Sequence, residues 1–211
     1  MTPNRQMLRT VMLAAMVLSL AVIFVTPALA GKFPATGQIT TYPADKNGDA
    51  VGPVDVPDDG ALTRGATLNY KLLPDGTIKD KNTGLIWEMK VAGSGCLHCV
   101  DDTYRWSGDG SQETIWDWLD AINTEGVKGY AGYDDWRIPN RRELESIVNL
   151  GLFNPAIDPI FGPTFTSNYW SSTTNAFSTF DAWFVSFFIG NVGIDDKTLD
   201  VFVRAVRGGS K

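Results

Sequence analysis

The sequence has 211 residues, of which 18 are lysine or arginine and 24 are aspartate or glutamate, and its formal net charge is −6. A protein with this charge has no general electrostatic attraction for nucleic acid or for an anionic membrane surface, so we expect neither as a partner. The length suffices for one domain with a well-buried core and leaves little room for a second.

Residues 1–30 have the pattern of a secretory signal peptide. Arg5 and Arg9 precede an apolar run over residues 11–25 that only Ser19 interrupts, and Ala28 and Ala30 provide the small residues that a signal peptidase reads. We therefore expect cleavage before Gly31 and export to the periplasm, the cell surface or the medium. The alternative is an uncleaved anchor, for which the apolar run is short. Once the signal is removed, no membrane span is expected.

Residues 31–65 show no hydrophobic periodicity and alternate proline with glycine and aspartate, which predicts a poorly structured lead-in. Within it, Asp45, Asn47 and Asp49 have the spacing of the oxygen ligands that open an EF-hand calcium loop. The twelfth position of such a loop is Val56 rather than glutamate. The three residues are therefore calcium candidates with a plain polar turn as the alternative, and no other cofactor is expected.

Residues 66–211 are predicted to form a single domain. An Asp-Gly turn within residues 70–79 indicates a β-hairpin. Residues 182–189 alternate as a strand whose two faces are both apolar, which predicts a central strand or a subunit interface. Residues 200–206 are predicted to form a final strand, and Arg204 in this strand is predicted to be a buried ion-pair partner of an acidic residue.

Two short helices are predicted between these hairpins. The first has four apolar residues at helical spacing, namely Ile115, Trp118, Leu119 and Ile122. The second begins at Asn140, where Glu143 completes a capping box, and Gly151 is predicted to end it. Together the elements predict an α+β fold in which two short helices pack on a mostly antiparallel sheet.

The string Cys96-Leu97-His98-Cys99 predicts a short disulfide, because an exported protein folds in an oxidising compartment. A zinc site needs about four ligands, and only these two cysteines and the single histidine are obvious candidates. Haem attachment requires a histidine after the second cysteine, and a redox-active dithiol is expected beside a βαβ unit. No nucleophile elbow or phosphate-binding loop occurs, so we expect no enzyme, with a redox or oxidase activity as a remote alternative.

Aromatic and polar residues around the last hairpins are candidates for a ligand-binding surface. Tyr169, Trp170 and Trp183 could stack on a sugar ring, Asp181 could accept hydrogen bonds from it, and Asn191 could donate or accept them. The alternative for the aromatic rings is a place in the core, because at least half of them must face inward.

Four motifs follow one another along the chain: residues 82–87 (NTGLIW), 135–146 (DWRIPNRRELES), 169–173 (YWSST) and 203–209 (VRAVRGG). In this order they resemble the C-terminal domain of Legionella collagen-like adhesins, over about residues 60–209. The resemblance implies a C-type lectin-like fold. The best-known member of that family is a trimeric adhesin domain that binds sulfated polysaccharide. This chain is acidic and has no cluster of lysine and arginine beyond Arg141 and Arg142, so a sulfated polyanion is not expected as its ligand.

These observations predict an exported recognition or adhesion domain that binds cell-surface or extracellular carbohydrate. Its partners would be carbohydrate or an envelope protein, and it could form a homo-oligomer. The alternative is a structural accessory domain of an envelope assembly, with no ligand. The triplets with which calcium-dependent C-type lectins hold sugar hydroxyls are absent from the sequence, so calcium-mediated sugar binding of that kind is not expected.

Overall fold

The computed structural model describes residues 33–41 and 58–209. The predicted signal peptide and the calcium candidates Asp45, Asn47 and Asp49 lie outside these residues. Within the described ranges, no helix is both long enough and apolar enough to cross a membrane.

The described residues form short helices and antiparallel sheets, which confirms the α+β prediction. The helices are α1 (Asp59–Leu62), α2 (Ile115–Thr124) and α3 (Arg141–Glu145), with 3₁₀ turns at Tyr130–Gly132 and Pro159–Phe161. The strands are β1 (Tyr70–Leu72), β2 (Ile78–Asp80), β3 (Ile86–Trp87), β4 (Tyr104–Arg105), β5 (Asn168–Thr174), β6 (Asp181–Ser186), β7 (Val192–Asp196), β8 (Asp200–Val201) and β9 (Val206–Arg207). Their orders are β1-β2-β3-β9, β4-β8 and β5-β6-β7.

The first hairpin forms where the sequence predicts it. Strands β1 and β2 pair with Tyr70 opposite Asp80 and Leu72 opposite Ile78. In the turn, the carboxylate of Asp75 accepts hydrogen bonds from the backbone N–H and the hydroxyl of Thr77. These local contacts need no tertiary partner, which explains why the sequence alone reveals this turn.

Both predicted helices form, and both begin at a capping box. Thr114 and Asp117 cap α2, and Asn140 and Glu143 cap α3. The prediction that Gly151 ends the second helix is wrong, because α3 ends after one turn at Glu145. The chain after it turns away to make other hydrogen bonds, such as the one from the Leu150 N–H to the Thr36 carbonyl.

The predicted final strand is divided. Strand β8 pairs with β4, whereas β9 pairs with β3 in a different sheet. Between them, the carbonyl of Ala205 accepts a hydrogen bond from the N–H of Glu88, and the carbonyl of Phe202 accepts one from Trp170. The prediction of a single strand over residues 200–206 is therefore wrong, because the segment crosses between sheets.

Strand β6 is the centre of its sheet, as its two apolar faces predict. The sheet separates two hydrophobic clusters. The first includes Ile78, Trp87, Leu144, Ile147, Phe161, Tyr169, Val185 and Phe187. The second includes Tyr104, Ile115, Trp118, Ile122, Trp136, Trp170, Ala182 and Val203. Neighbouring residues of a strand point to opposite faces, so Tyr169 and Trp170 belong to different clusters.

Residues 33–41, in the first described part of the predicted lead-in, pack against the domain. Pro34 forms a bridge with Ala66, and the carbonyl of Thr36 accepts the Leu150 N–H at 2.6 Å. Folding of the domain therefore positions this segment through backbone hydrogen bonds rather than through periodicity of its own.

Candidate functional site

The structure places the predicted ligand-binding aromatic residues mainly in the cores. Tyr169 is 1% exposed and Trp170 is fully buried. The indole N–H of Trp170 donates to the Tyr104 carbonyl, and the hydroxyl of Tyr169 accepts from the Phe165 N–H. These two rings therefore line the cores and offer no face to a ligand.

The other predicted site residues do not converge. Asp181 begins β6, whereas Asn191 lies in the turn beyond its far end, and a strand of this length spans about 16 Å. Trp183 is half-buried, and the Arg141 guanidinium lies 4.3 Å from its ring centroid. Asp181, Trp183 and Asn191 therefore do not form one sugar-binding surface.

Four other aromatic residues, Trp106, Trp116, Phe177 and Phe180, form what we call the aromatic rim; Trp106 is half-buried and the other three are exposed. The two indole rings meet edge to face with centroids 5.0 Å apart. Trp116 is 37% exposed, Phe177 is 99% exposed and Phe180 is 78% exposed. Large apolar rings that face solvent in one region mark a surface for recognition of a ligand or partner.

A buried lysine holds the aromatic rim together. The ammonium of Lys197 lies 3.9 Å from the Trp106 ring centroid and donates hydrogen bonds to the Thr174 hydroxyl and the Thr179 carbonyl. Its backbone N–H donates to the Phe180 carbonyl. One residue thus fixes the loop that carries both phenylalanines against Trp106.

The indole N–H groups of the rim are already satisfied within the protein. Trp106 donates to the Ser171 carbonyl and Trp116 donates to the Trp106 carbonyl, both at 2.9 Å. A ligand would therefore meet the apolar faces of these rings. The sequence contains a signal for Trp116, because it shares a helix face with Asp120 and lies outside the buried stripe.

An acidic cleft of about 610 Å³ lies next to the rim. We call this cavity the acidic cleft. Its lining residues are Gly95, Cys96, Leu97, Asp101, Asp102, Thr103, Tyr104 and Glu113. Segments 104–106 and 113–116 are paired by a bridge between Arg105 and Thr114. The cleft and the rim therefore share these two segments.

Cys96 and Cys99 form a disulfide, as the sequence predicts. The disulfide closes a loop that forms one wall of the cleft. Asp102 stabilises the same loop, because its carboxylate accepts the backbone N–H groups of Gly95 and Cys96. The indole N–H of Trp118 donates to the Leu97 carbonyl and so anchors the loop to α2. The disulfide loop is thus a positioned wall of the cleft.

The disulfide loop also carries His98 into a network of buried charges. Glu88 is fully buried, and its Oε1 lies 3.0 Å from Lys90 Nζ and 2.8 Å from His98 Nδ1. Its Oε2 accepts the backbone N–H of Ala205. On the other side of the imidazole, Nε2 lies 3.0 Å from Glu125 Oε2. His98 therefore connects a buried carboxylate with one at the surface.

The contacts in this network shift two pKa values. Burial would raise the pKa of Glu88, but Lys90, His98 and the Ala205 N–H outweigh burial and hold it at about 2. Burial would likewise lower the pKa of His98, but its contacts with Glu88 and Glu125 raise it above its ordinary value. The protonated imidazole is thus the form that the fold stabilises.

We expect His98 to make the stability of the protein depend on pH. In an unfolded chain the imidazole has a pKa of about 6.5, and the folded protein raises it. The stabilisation is therefore complete below about pH 6.5 and is lost as the pH rises through the folded-state pKa. Urea unfolding from about pH 6 to about pH 9 should show the wild type losing free energy of unfolding relative to His98→Gln.

The single histidine of the chain allows a direct check of this expectation. An NMR titration of the imidazole protons reports its pKa without overlap from another histidine. A folded-state pKa at or below about 6.5 would contradict the stabilisation of protonated His98 by Glu88 and Glu125. So would a free energy of unfolding that changes with pH equally in the wild type and in His98→Gln.

Arg204 is fully buried, as predicted, but its partners differ from the prediction. One guanidinium nitrogen donates to the carbonyls of Glu88 and Phe161, and another donates to the Thr164 hydroxyl. None of the ion pairs among the described residues includes Arg204. Its predicted role as an ion-pair partner is therefore wrong, because backbone carbonyls occupy its donors.

A family model described as the Lcl C-terminal domain matches residues 76–207. The chain belongs to the Lcl C-terminal domain family. This match confirms the resemblance carried by the four sequence motifs, and membership indicates an adhesin-associated domain. A comparison with curated proteins finds no match for the chain.

The motifs that identify the Lcl C-terminal domain contact one another in the fold. Arg137 makes a bidentate pair with Glu143 and also donates to the Gly208 carbonyl. Arg207 pairs with Asp135 at 2.6 Å. These contacts join the second motif to the last one. The motif residues thus form a scaffold, while the aromatic rim and the acidic cleft lie mainly in the segments between motifs.

Proposed function

We propose that this Lcl C-terminal domain is an exported recognition domain of the adhesin type that binds carbohydrate at the aromatic rim. The exposed face of Trp116 beside Trp106 carries the proposal, because aromatic faces that are fixed and open to solvent suit stacking on a sugar ring. Export is proposed from the signal-peptide pattern of residues 1–30, and the proposed location is the periplasm, the cell surface or the medium. A C-type lectin-like fold is part of the same proposal.

The proposal assigns binding rather than catalysis to the domain. His98, the only histidine of the sequence, is held between two carboxylates, and both cysteines of the sequence form the disulfide. These side chains already have structural partners. The proposal requires no cofactor.

We expect Trp116→Ala to weaken glycan binding about tenfold or more, because exposed tryptophans that anchor a ligand carry much of the binding energy. The measurement is a broad glycan array with the purified chain, followed by titration of the best glycan. Phe153→Ala is the matched control, since Phe153 is 78% exposed and lies outside the rim. Unchanged glycan binding by Trp116→Ala would refute the aromatic rim as the binding surface, and a blank array would refute carbohydrate recognition.

The second candidate function is a structural role in an envelope assembly, and the exposure of Phe177 and Phe180 favours it. Apolar rings this exposed are typical of protein contacts. In this case Phe177→Ala would reduce association with an envelope protein or with a second copy of the chain, and the array would stay blank. Sedimentation of the wild type and the variant measures association with a second copy of the chain.

A further inference from the structure

The charged residues that line the acidic cleft are all negative. Three of its eight lining residues are Asp101, Asp102 and Glu113, and none of the eight is basic. The side chains of Asp101 and Glu113 are exposed and make no hydrogen bond or ion pair with any described residue. Asp102 is fixed in position by the loop N–H groups that it accepts. The cleft therefore presents carboxylate oxygens that remain available to a ligand.

A second, independent observation at the cleft is the hydroxyl of Tyr104. This residue lines the cleft although it is 8% exposed, and its ring packs against Trp118 with centroids 5.8 Å apart. Its hydroxyl has no hydrogen-bond partner among the residues that the structure describes. The hydroxyl is the part of this otherwise buried side chain that reaches the cleft, so a ligand hydroxyl or amine there can take the place of water as its hydrogen-bond partner.

The electrostatic potential at Tyr104 is negative. Burial, together with the nearby carboxylates of Asp102 and Glu113, raises the pKa of this phenol to about 12. The phenol therefore stays protonated and can donate a hydrogen bond. The same negative potential favours a cationic group in the cleft and disfavours an anionic one.

The shape and lining of the cleft suit an organic cation. Leu97 and the Tyr104 ring supply apolar surface, and the volume of about 610 Å³ is in the usual range for small-molecule sites. In the part of the chain that the structure describes, no group of three acidic, histidine or cysteine side chains is arranged to hold a metal ion. A ring that carries an ammonium group fits both the apolar and the acidic surfaces.

We propose that the acidic cleft binds the protonated amine of an amino sugar, so that the glycan held at the aromatic rim is an amine-bearing one. The inference rests on the proposed carbohydrate binding. The two segments shared by the cleft and the rim allow one oligosaccharide to contact both, with an aromatic face under one ring and carboxylates around the amine of the next.

The test compares chitosan oligosaccharides, whose amines are free, with N-acetylated oligosaccharides of the same length. The purified full chain should bind the free-amine form about tenfold more tightly or better, and raised salt should weaken this preference because it screens the charges. The double variant Asp101→Asn/Glu113→Gln should lose the preference while it still binds the acetylated form. Asp134→Asn/Glu145→Gln removes the same charge from exposed acids outside the cleft and should keep the preference.

The outcomes separate this inference from the proposed function. Binding of both oligosaccharides that is equal in strength and unchanged in the double variant overturns the amine site and leaves carbohydrate recognition intact. Binding to neither of them, together with a blank array, overturns both proposals. A preference for sulfated glycans would overturn the amine site as well. A circular dichroism spectrum of the double variant that matches the wild type excludes misfolding as the cause of a lost preference.

Discussion

Glu88→Gln should lower the free energy of unfolding by about 3–5 kcal/mol, the largest effect expected in this domain. Three donors face the two oxygens of Glu88, namely Lys90 Nζ, His98 Nδ1 and the Ala205 N–H. A glutamine keeps one acceptor oxygen and turns its amide N–H₂ toward another donor. It also leaves the ammonium of Lys90, which is 3% exposed, without a charged partner.

Urea denaturation of the purified chain measures this loss as a shift in the midpoint. Glu125→Gln is the matched control, because it makes the same chemical change at the other carboxylate of His98. The Glu125 side chain is 40% exposed, so its pair with His98 should contribute less than about 1 kcal/mol. Equal losses in the two variants would show that burial does not decide the strength of this network.

Arg204→Met should lower the free energy of unfolding by about 3 kcal/mol. The methionine replaces the stem of the arginine, but it removes the donors to the carbonyls of Glu88 and Phe161 and to the Thr164 hydroxyl. Each buried polar group that loses its partner is destabilising by about 1–3 kcal/mol, and release of the buried charge offsets part of the sum.

Arg141→Met provides the comparison for this substitution. The Arg141 side chain is 37% exposed, and its ion pair with Glu145 is 3.8 Å long. The same chemical change there should shift stability by less than about 1 kcal/mol. A loss below about 1 kcal/mol for Arg204→Met would show that the carbonyls find other donors.

Local signals in the sequence were sufficient to predict the hairpin turn and the residues at which the helices begin. The carboxylate of Asp75 and the capping boxes of both main helices act within three residues of their partners, so their effect is independent of the rest of the fold. The prediction of the disulfide between Cys96 and Cys99 likewise used local information, namely the short spacing of the two cysteines and the signal-peptide pattern that led us to expect an oxidising compartment.

The end of the second helix and the path of the last strand were not predictable in this way. Apolar residues at helical spacing continue to Val148, but tertiary hydrogen bonds take the chain out of the helix after Glu145. The alternation of residues 200–206 fits a strand, yet the two ends of that segment belong to different sheets. Periodicity describes the faces of a segment and contains no information about its partners.

The candidate site was the least predictable part of the domain. An aromatic residue has the same local pattern whether it enters a core or faces solvent, so Tyr169 and Trp170 were candidates although both are buried. Trp116 carried a signal, because the buried stripe of its helix excludes it. Phe177 and Phe180 carried none, because a loop has no periodicity from which exposure can be read.

The sequence by itself determined the family, the α+β class, the hairpin turns, the helix caps and the short disulfide, since each depends on neighbouring residues or on an ordered set of motifs. The tertiary structure alone decided which aromatic rings are exposed and which charges are buried. Glu88 and Ala205 are 117 positions apart, and their hydrogen bond exists only after two distant segments have packed together. Burial is a property of the packed chain, and the function proposed for this domain depends on it.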